Sequence, residues 1–144
     1  MTPDVNVLVA ASRVDHPHHA PALAWLEAAL DDATASGGVL LMPMVVASFL
    51  RLVTHPKVFV SPMPTERAVA FIDALLAMPG VRMCSLGDEW PLLRSLCLDK
   101  GLRANDLPDA WLAASVQHLG DHLVTFDRDF RKLLKRSDLT VLVG

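Results

Sequence analysis

The stretch DLPDAWLAASVQHLGDHLVTFDRDF, residues 106–130, decides the fold. Two acids and a proline, Asp106, Pro108 and Asp109, open it in the pattern of a helix start. Ala110, Leu112 (or Ala113), Val116 and Leu119 then recur at helical spacing, and Gly120 ends the run. His122 to Thr125 is a short apolar segment of strand type. Asp127 follows at once and starts a short helix through Leu134. A helix that delivers the chain to an apolar strand, with acids just past the strand, is the unit of an α/β fold.

The same alternation extends outward from this stretch. Leu139 to Val143 is a last strand. Upstream, Gly87-Asp88-Glu89 leads into a helix with Leu92, Leu93, Leu96 and Cys97 inward, ended by Gly101. Val81 to Cys84 is a short strand. Thr65 and Glu66 open a helix whose apolar face is Ala68, Val69, Ile72, Leu75 and Leu76, closed by Met78-Pro79-Gly80. Val58 to Pro64 is a loop. Pro43 starts a helix carrying Val46, Phe49, Leu50 and Val53, which Thr54-His55-Pro56 stops. Val39 to Met42 is a strand, and Leu23, Leu26 and Leu30 mark a helix that ends before Ser36-Gly37-Gly38. Val5 to Ala10 reads as the first strand. The strands show no period of two, so both faces of a parallel sheet are expected to be covered. With no repeat, linker or low-complexity tract, one α/β domain over residues 1–144 is expected, its central parallel sheet of four to five strands flanked by helices on both faces.

Composition bounds the function. The 144 residues are 52% hydrophobic with a mean hydropathy of +0.36, which excludes a disordered chain. Thirteen Lys and Arg against sixteen acids give a net charge of −3, so binding of nucleic acid through bulk positive charge is not expected. Thirteen of the sixteen acids are Asp, a residue of caps, turns and hard-metal sites. Cys84 and Cys97 read as reduced thiols of a cytosolic protein. The start MTPDVNVLVA has no basic segment of signal-peptide type. The longest apolar run, Val39 to Leu50, is too short to span a membrane and carries Pro43.

The position of the Asp residues is therefore the main question. In an open parallel sheet the ligand crevice lies outside the carboxyl ends of the strands. Asp106, Asp109, Asp127 and Asp129 fall at or near such ends. Each also has a plain structural explanation. Asp106 suits an N-cap, Asp109 the favourable N3 position, Asp127 another N-cap, and Asp129 a first turn. Asp4 precedes the first expected strand and could be a solvated residue. His16, His18 and His19 read as a polar helix start, because their spacing does not suit one helix face. Trp25, Trp90 and Trp111 read as core or interface packing.

Four strings in order, DVNVLVAA, FLRLVTHPKVF, NDLPDAWLAAS and LVTFDRDF, resemble the PIN-domain family, and within it the VapC toxins of VapBC toxin–antitoxin pairs. The resemblance covers nearly the whole chain and implies a PIN-like three-layer fold. It further implies a cytoplasmic metal-dependent endoribonuclease that gathers acids around Mg²⁺, with Mn²⁺ as an alternative. Carried over, Asp4, Asp109 and Asp127 match metal ligands. Asp106 matches an extra acid that could join them, and Asp129 matches another often present. Asn6 and Thr125 match polar positions that support the site. The family would also put Asp4 at the end of the first strand, earlier than the residues alone suggest. One position departs. The family's acid on the helix after the second strand is Ser48 here, and no Asp or Glu lies between Gly37 and Pro64.

The chemistry fits these residue types. Mg²⁺ takes oxygen ligands and keeps several waters, and a bound water becomes the nucleophile for in-line attack on a phosphodiester. RNA then needs local cations near the acids. Arg128, Arg131 and Lys132 follow Asp127 directly and are the expected substrate contacts, although they also suit a solvated helix face. The partners implied are structured RNA such as transfer or ribosomal RNA, a VapB-type antitoxin, and a second copy in a homodimer, for which Val58, Phe59, Leu75 and Leu76 are candidate contacts. With Ser48 in place of an acid, a PIN domain that binds RNA or protein without cutting is the alternative.

Overall fold

Strands of two or three residues build the sheet, so its stability rests on burial. The computed structural model describes residues 1–34 and 37–144. The order is β1 (Thr2–Pro3), α1 (Val5–Ser12), α2 (His19–Asp31), β2 (Val39–Leu41), α3 (Pro43–Val53), α4 (Thr65–Leu76), β3 (Val81–Met83), α5 (Trp90–Lys100), α6 (Asp106–His118), β4 (Leu123–Thr125) and β5 (Leu139–Val141). Two 3₁₀ turns, Arg128–Lys132 and Arg136–Asp138, join β4 to β5. All the pairings are parallel: β1 with β4, β4 with β5, and β2 with β3. Leu40 N–H donates to the Met1 carbonyl at 2.9 Å, which sets β2 beside β1. The five strands thus lie in the order β3-β2-β1-β4-β5. Every residue of β2 and of β4 is buried, as expected where helices cover both faces.

One expected strand is a helix. Val5 to Ala10 belongs to α1, and β1 precedes it. Val7 to Ala11 are all buried, so the helix has no polar face to reveal its period. A short apolar run that is buried all round reads alike as strand or helix. Asp4 decides the matter as N-cap, its Oδ1 accepting from Val5 N–H at 2.7 Å.

The other helices follow their apolar spacing with local corrections. α3 buries Val45, Val46, Phe49 and Val53. Phe49 is fully buried and stacks on Phe71 of α4 at 5.2 Å between ring centres, and burial of a side chain this size stabilises by roughly 2–3 kcal/mol. In α4, Val69 is exposed, while Ala68, Ile72 and Leu75 are core. α5 buries none of its residues fully, so its expected inward face of Leu92, Leu93, Leu96 and Cys97 only half-covers the core. Gly101 ends α5 in the left-handed conformation, φ +60°. Leu119 and Trp90 are exposed too. The expected helix stop at Ser36 lies outside the described residues. Gly38 and Gly80 cross where β2 and β3 begin: a Cβ on Gly38 would meet the Gly80 carbonyl, which instead accepts from Val39 N–H at 2.9 Å. Cys84 is buried, Cys97 half-buried, and both are free thiols. Among the described residues no helix is long and apolar enough to cross a membrane.

Candidate active site

β1 is the point where the strand order reverses, since the chain runs from it to β2 and β3 on one side and later to β4 and β5 on the other. The crevice of a parallel sheet forms at such a point. Asp4 stands at the carboxyl end of β1, and Asp127 two residues past Thr125 at the end of β4.

Thr125 ties the two ends together. Its buried hydroxyl donates to Asp4 Oδ2 at 2.7 Å. The same oxygen accepts from Asn6 Nδ2 at 3.1 Å and from Asp127 N–H at 3.0 Å. Asn6 Oδ1 in turn accepts from Phe126 N–H at 3.2 Å. A hydroxyl has one proton and two lone pairs, and all three are used here. Asp127 caps the following 3₁₀ turn, with Oδ1 accepting from Asp129 N–H at 2.8 Å. Asp4, Asn6, Thr125, Asp127 and Asp129 therefore form one continuous network.

The first turn of α6 supplies the other acids. Asn105, not Asp106, is the N-cap residue; Asp106 is the first helical residue, and its Oδ2 accepts from Arg103 N–H at 3.1 Å. Asp109 is correspondingly one position further into the helix than expected, and it is half-buried. Desolvation pushes the Asp109 carboxyl up to about 6, and the charges of Asp4, Asp127, Asp129 and Asp106 push the same way. Burial also raises Asp4; the bonds from Thr125 and Val5 partly offset this, and the Asp127 charge adds to it. Five carboxylates thus share one electrostatic neighbourhood. Among the described residues the ion pairs are Met1–Asp121 and Arg13–Asp15, so no salt bridge neutralises the five. Nor do any three His, Cys, Asp or Glu side chains there close into a ready-made metal cage.

A cavity of about 440 Å³ opens beside Asp106, Asp109 and Asp129, with Lys100, Leu102 and Lys132 on its walls. Asp4, Asn6, Thr125 and Asp127 are not on its lining, and Ser48, Arg131 and Arg128 also lie elsewhere. Ser48 on α3 lines a separate, largely apolar groove of about 580 Å³ with Met44, Ala47, Leu93, Leu107 and Trp111. Arg131 lines a third recess with Arg136, Leu134, Leu139 and Val141. Adjacent residues of a tight turn diverge, so Lys132 faces the acids while Arg131 does not. Arg128 is exposed on the same turn. The histidines are not a metal group: His19 Nδ1 lies 2.9 Å from the Ala10 carbonyl, and His16 Nδ1 accepts from His18 N–H.

Sequence reasoning missed Glu89. It is 4% exposed and accepts from Trp111 Nε1 and from Gly87 N–H, both at 2.7 Å. This bond fixes α5 to α6 and turns Trp111 toward the apolar groove. The partners lie twenty-two residues apart, so no local pattern signals the pair.

The PIN domain family matches residues 1–135. The chain belongs to that family. Ribonuclease VapC31 of Mycobacterium tuberculosis (strain CDC 1551 / Oshkosh) is 38% identical over 132 residues, covering 90% of this chain and 89% of the relative. This places the PIN domain among VapC-type members. Two crystal structures share its fold. VapBC2 from Rickettsia felis, bound to a DNA fragment from its promoter, superposes with a TM-score of 0.64 at 18% identity, over 98% of this chain and 96% of that one. Mycobacterium tuberculosis VapC20, described as a sarcin-ricin loop cleaving toxin, gives 0.65 at 17% identity, over 91% and 92%.

Proposed function

We propose that this PIN domain is a Mg²⁺-dependent endoribonuclease, the toxin of a type II toxin–antitoxin pair, and that it cleaves structured RNA by attack of water on a phosphodiester. The observation that carries the reading is the gathering of four other acids around Asp109, whose carboxyl is raised to about 6 by burial and its neighbours' charges, with no cation paired to any of the five among the described residues. Such an arrangement is costly in a folded protein unless a cation completes it.

The donor set fits a hard divalent ion. It is oxygen only, the ligand type that Mg²⁺ takes while keeping several of its waters. Mn²⁺ would be accepted by the same oxygens. Asp4, Asp109 and Asp127 would hold it directly or through water, with Asp106 and Asp129 adding charge or a second ion. When bound, the ion supplies a water of lowered pKa and offsets the charge that develops on the phosphoryl oxygens. The protein's own part is orientation. Thr125 leaves Asp4 Oδ2 one direction to face, and Asn6 and Asp127 lock Thr125 in turn. Lys132, with Arg128 at the start of the same turn, would draw the RNA backbone, whereas Arg131 lines another recess.

Two partners follow. VapC20 is described as cutting the sarcin-ricin loop, which supports an RNA substrate folded into a loop. The Rickettsia relative is a VapBC complex, which supports a VapB-type antitoxin. The groove of Met44, Ala47, Leu93, Leu107 and Trp111 would seat a segment of it and bring a basic side chain to the adjacent acids. A homodimer is also proposed; Val58 remains exposed for it and Phe59 is half-buried, whereas Leu75 is core.

The test is cleavage of cellular RNA by the purified protein with Mg²⁺, with EDTA, and in the Asp4→Asn and Asp109→Asn variants. New 5′ ends that need both the metal and the two acids are expected. A second reading, RNA binding without cleavage, is favoured by one observation: α3 carries Ser48 and no acid. Retained RNA binding with no metal-dependent cut would establish it.

A further inference from the structure

The cavity beside Asp109 has walls from three elements. The first turn of α6 brings Asp106 and Asp109, the 3₁₀ turn brings Asp129 and Lys132, and the end of α5 brings Lys100 and Leu102. Lys100 is the last residue of α5, and Lys132 is the last of its turn. Each lies on a wall from a different element, with the acids completing the lining.

Neither lysine forms an ion pair with those acids among the described residues. Both side chains are exposed. Two free cations therefore stand at the rim of a strongly anionic cavity, where long flexible stems hold ammonium groups in water. A simple anion gains little there, because the carboxylates repel it. A polyanion can place one phosphate toward the carboxylates when a metal is present and its neighbouring phosphates on the rim.

We infer that Lys100 and Lys132 bind the RNA phosphates flanking the one that is cut, one lysine on each side. This rests on the cavity being an RNA site, as proposed above. Lysine acts as a point charge without the planar fork of arginine, so the contact holds a single strand's backbone and reads no base. Both are positioning residues: they touch the substrate's backbone away from the reacting atoms.

The test separates binding from cleavage. A fluorescein-labelled single-stranded RNA of about twelve nucleotides is titrated by anisotropy with the Asp109→Asn protein, at a constant Mg²⁺ concentration, over a series of KCl concentrations. Each single-strand phosphate contact contributes about 0.7 to the slope of log affinity against log salt. Lys100→Ala and Lys132→Ala in that background should each flatten the slope by about that amount, and the double variant by about 1.4. Arg67→Ala, on α4, should leave it unchanged. In the otherwise wild-type protein, Lys100→Ala should raise KM for RNA about tenfold at low salt with kcat within twofold, and Lys100→Arg should restore it. An unchanged slope in both single variants overturns the inference, as does a fall in kcat at constant KM. A lysine-dependent slope in a protein that never cuts leaves this inference standing and overturns the nuclease. Loss of all RNA binding overturns both.

Discussion

Replacing Asp109 with Asn removes the carboxylate on which the other four act, and its effect on stability can be worked out in advance. The Asp109 carboxyl moves from an ordinary 3.8 to about 6 in the folded state. Over that interval the folded protein holds a proton that the unfolded chain has released. Stability therefore falls as pH rises from about 3.8 to about 6 and levels off above. Taken at face value the shift corresponds to roughly 3 kcal/mol. Asp109 is only half-buried and faces an open cavity, so solvent screening brings this to about 1–2 kcal/mol. Without metal at pH 8, Asp109→Asn should be more stable than wild type by that amount, a rise in Tm of about 3–8 °C for a chain of this size. At pH 4 the two should differ little. Added Mg²⁺ should raise the Tm of the wild type and not of the variant, because the variant lacks a carboxylate of the proposed metal site. The assay is thermal unfolding by circular dichroism from pH 4 to 8, with EDTA and with Mg²⁺. A variant less stable than wild type at pH 8 in EDTA would refute the reasoning, as would a gap independent of pH.

Thr125→Val keeps the shape but strands Asp4 Oδ2 and the Asp127 N–H in a buried place; a loss of about 2–3 kcal/mol in urea unfolding is expected, with Thr125→Ser close to wild type. Glu89→Ala breaks the bond to Trp111, so α5, which has no fully buried residue, should exchange its amides faster than α6, and stability should fall by about 1.5–3 kcal/mol. Ala104 has φ +50°, so Ala104→Gly relieves the left-handed conformation and should stabilise by about 0.5 kcal/mol once the added chain entropy is counted, again read in urea. Ser48→Glu puts a carboxylate on the α3 wall; tighter Mg²⁺ binding by calorimetry is expected, and an unchanged affinity would mean that this wall lies out of reach of the acids.

Much of this protein is written locally. The helices α3, α4 and α6 show their apolar spacing, Pro43 and Gly101 punctuate, and β2, β3, β4 and β5 appear as short apolar runs between them. The clustered acids are visible as well, but Asp127 and Asp109 sit in first turns where an Asp already has a structural reason to be, so it was the family resemblance that singled them out. Tertiary structure decided the rest. Val5 to Ser12 is a helix capped by Asp4, and the burial of Val7 to Ala11 erases the period that would have identified it. Lys132 and Arg131 are neighbours in sequence and face different cavities, since side chains on a tight turn diverge. Glu89 found Trp111 through the packing of α5 on α6, and Lys100 came to line the same cavity as Lys132. Above all, the rise of Asp109 to about 6 comes from its burial, to which the charges of four other carboxylates from β1, α6 and the turn after β4 add. Charge acts through space, so only the folded chain sets that number.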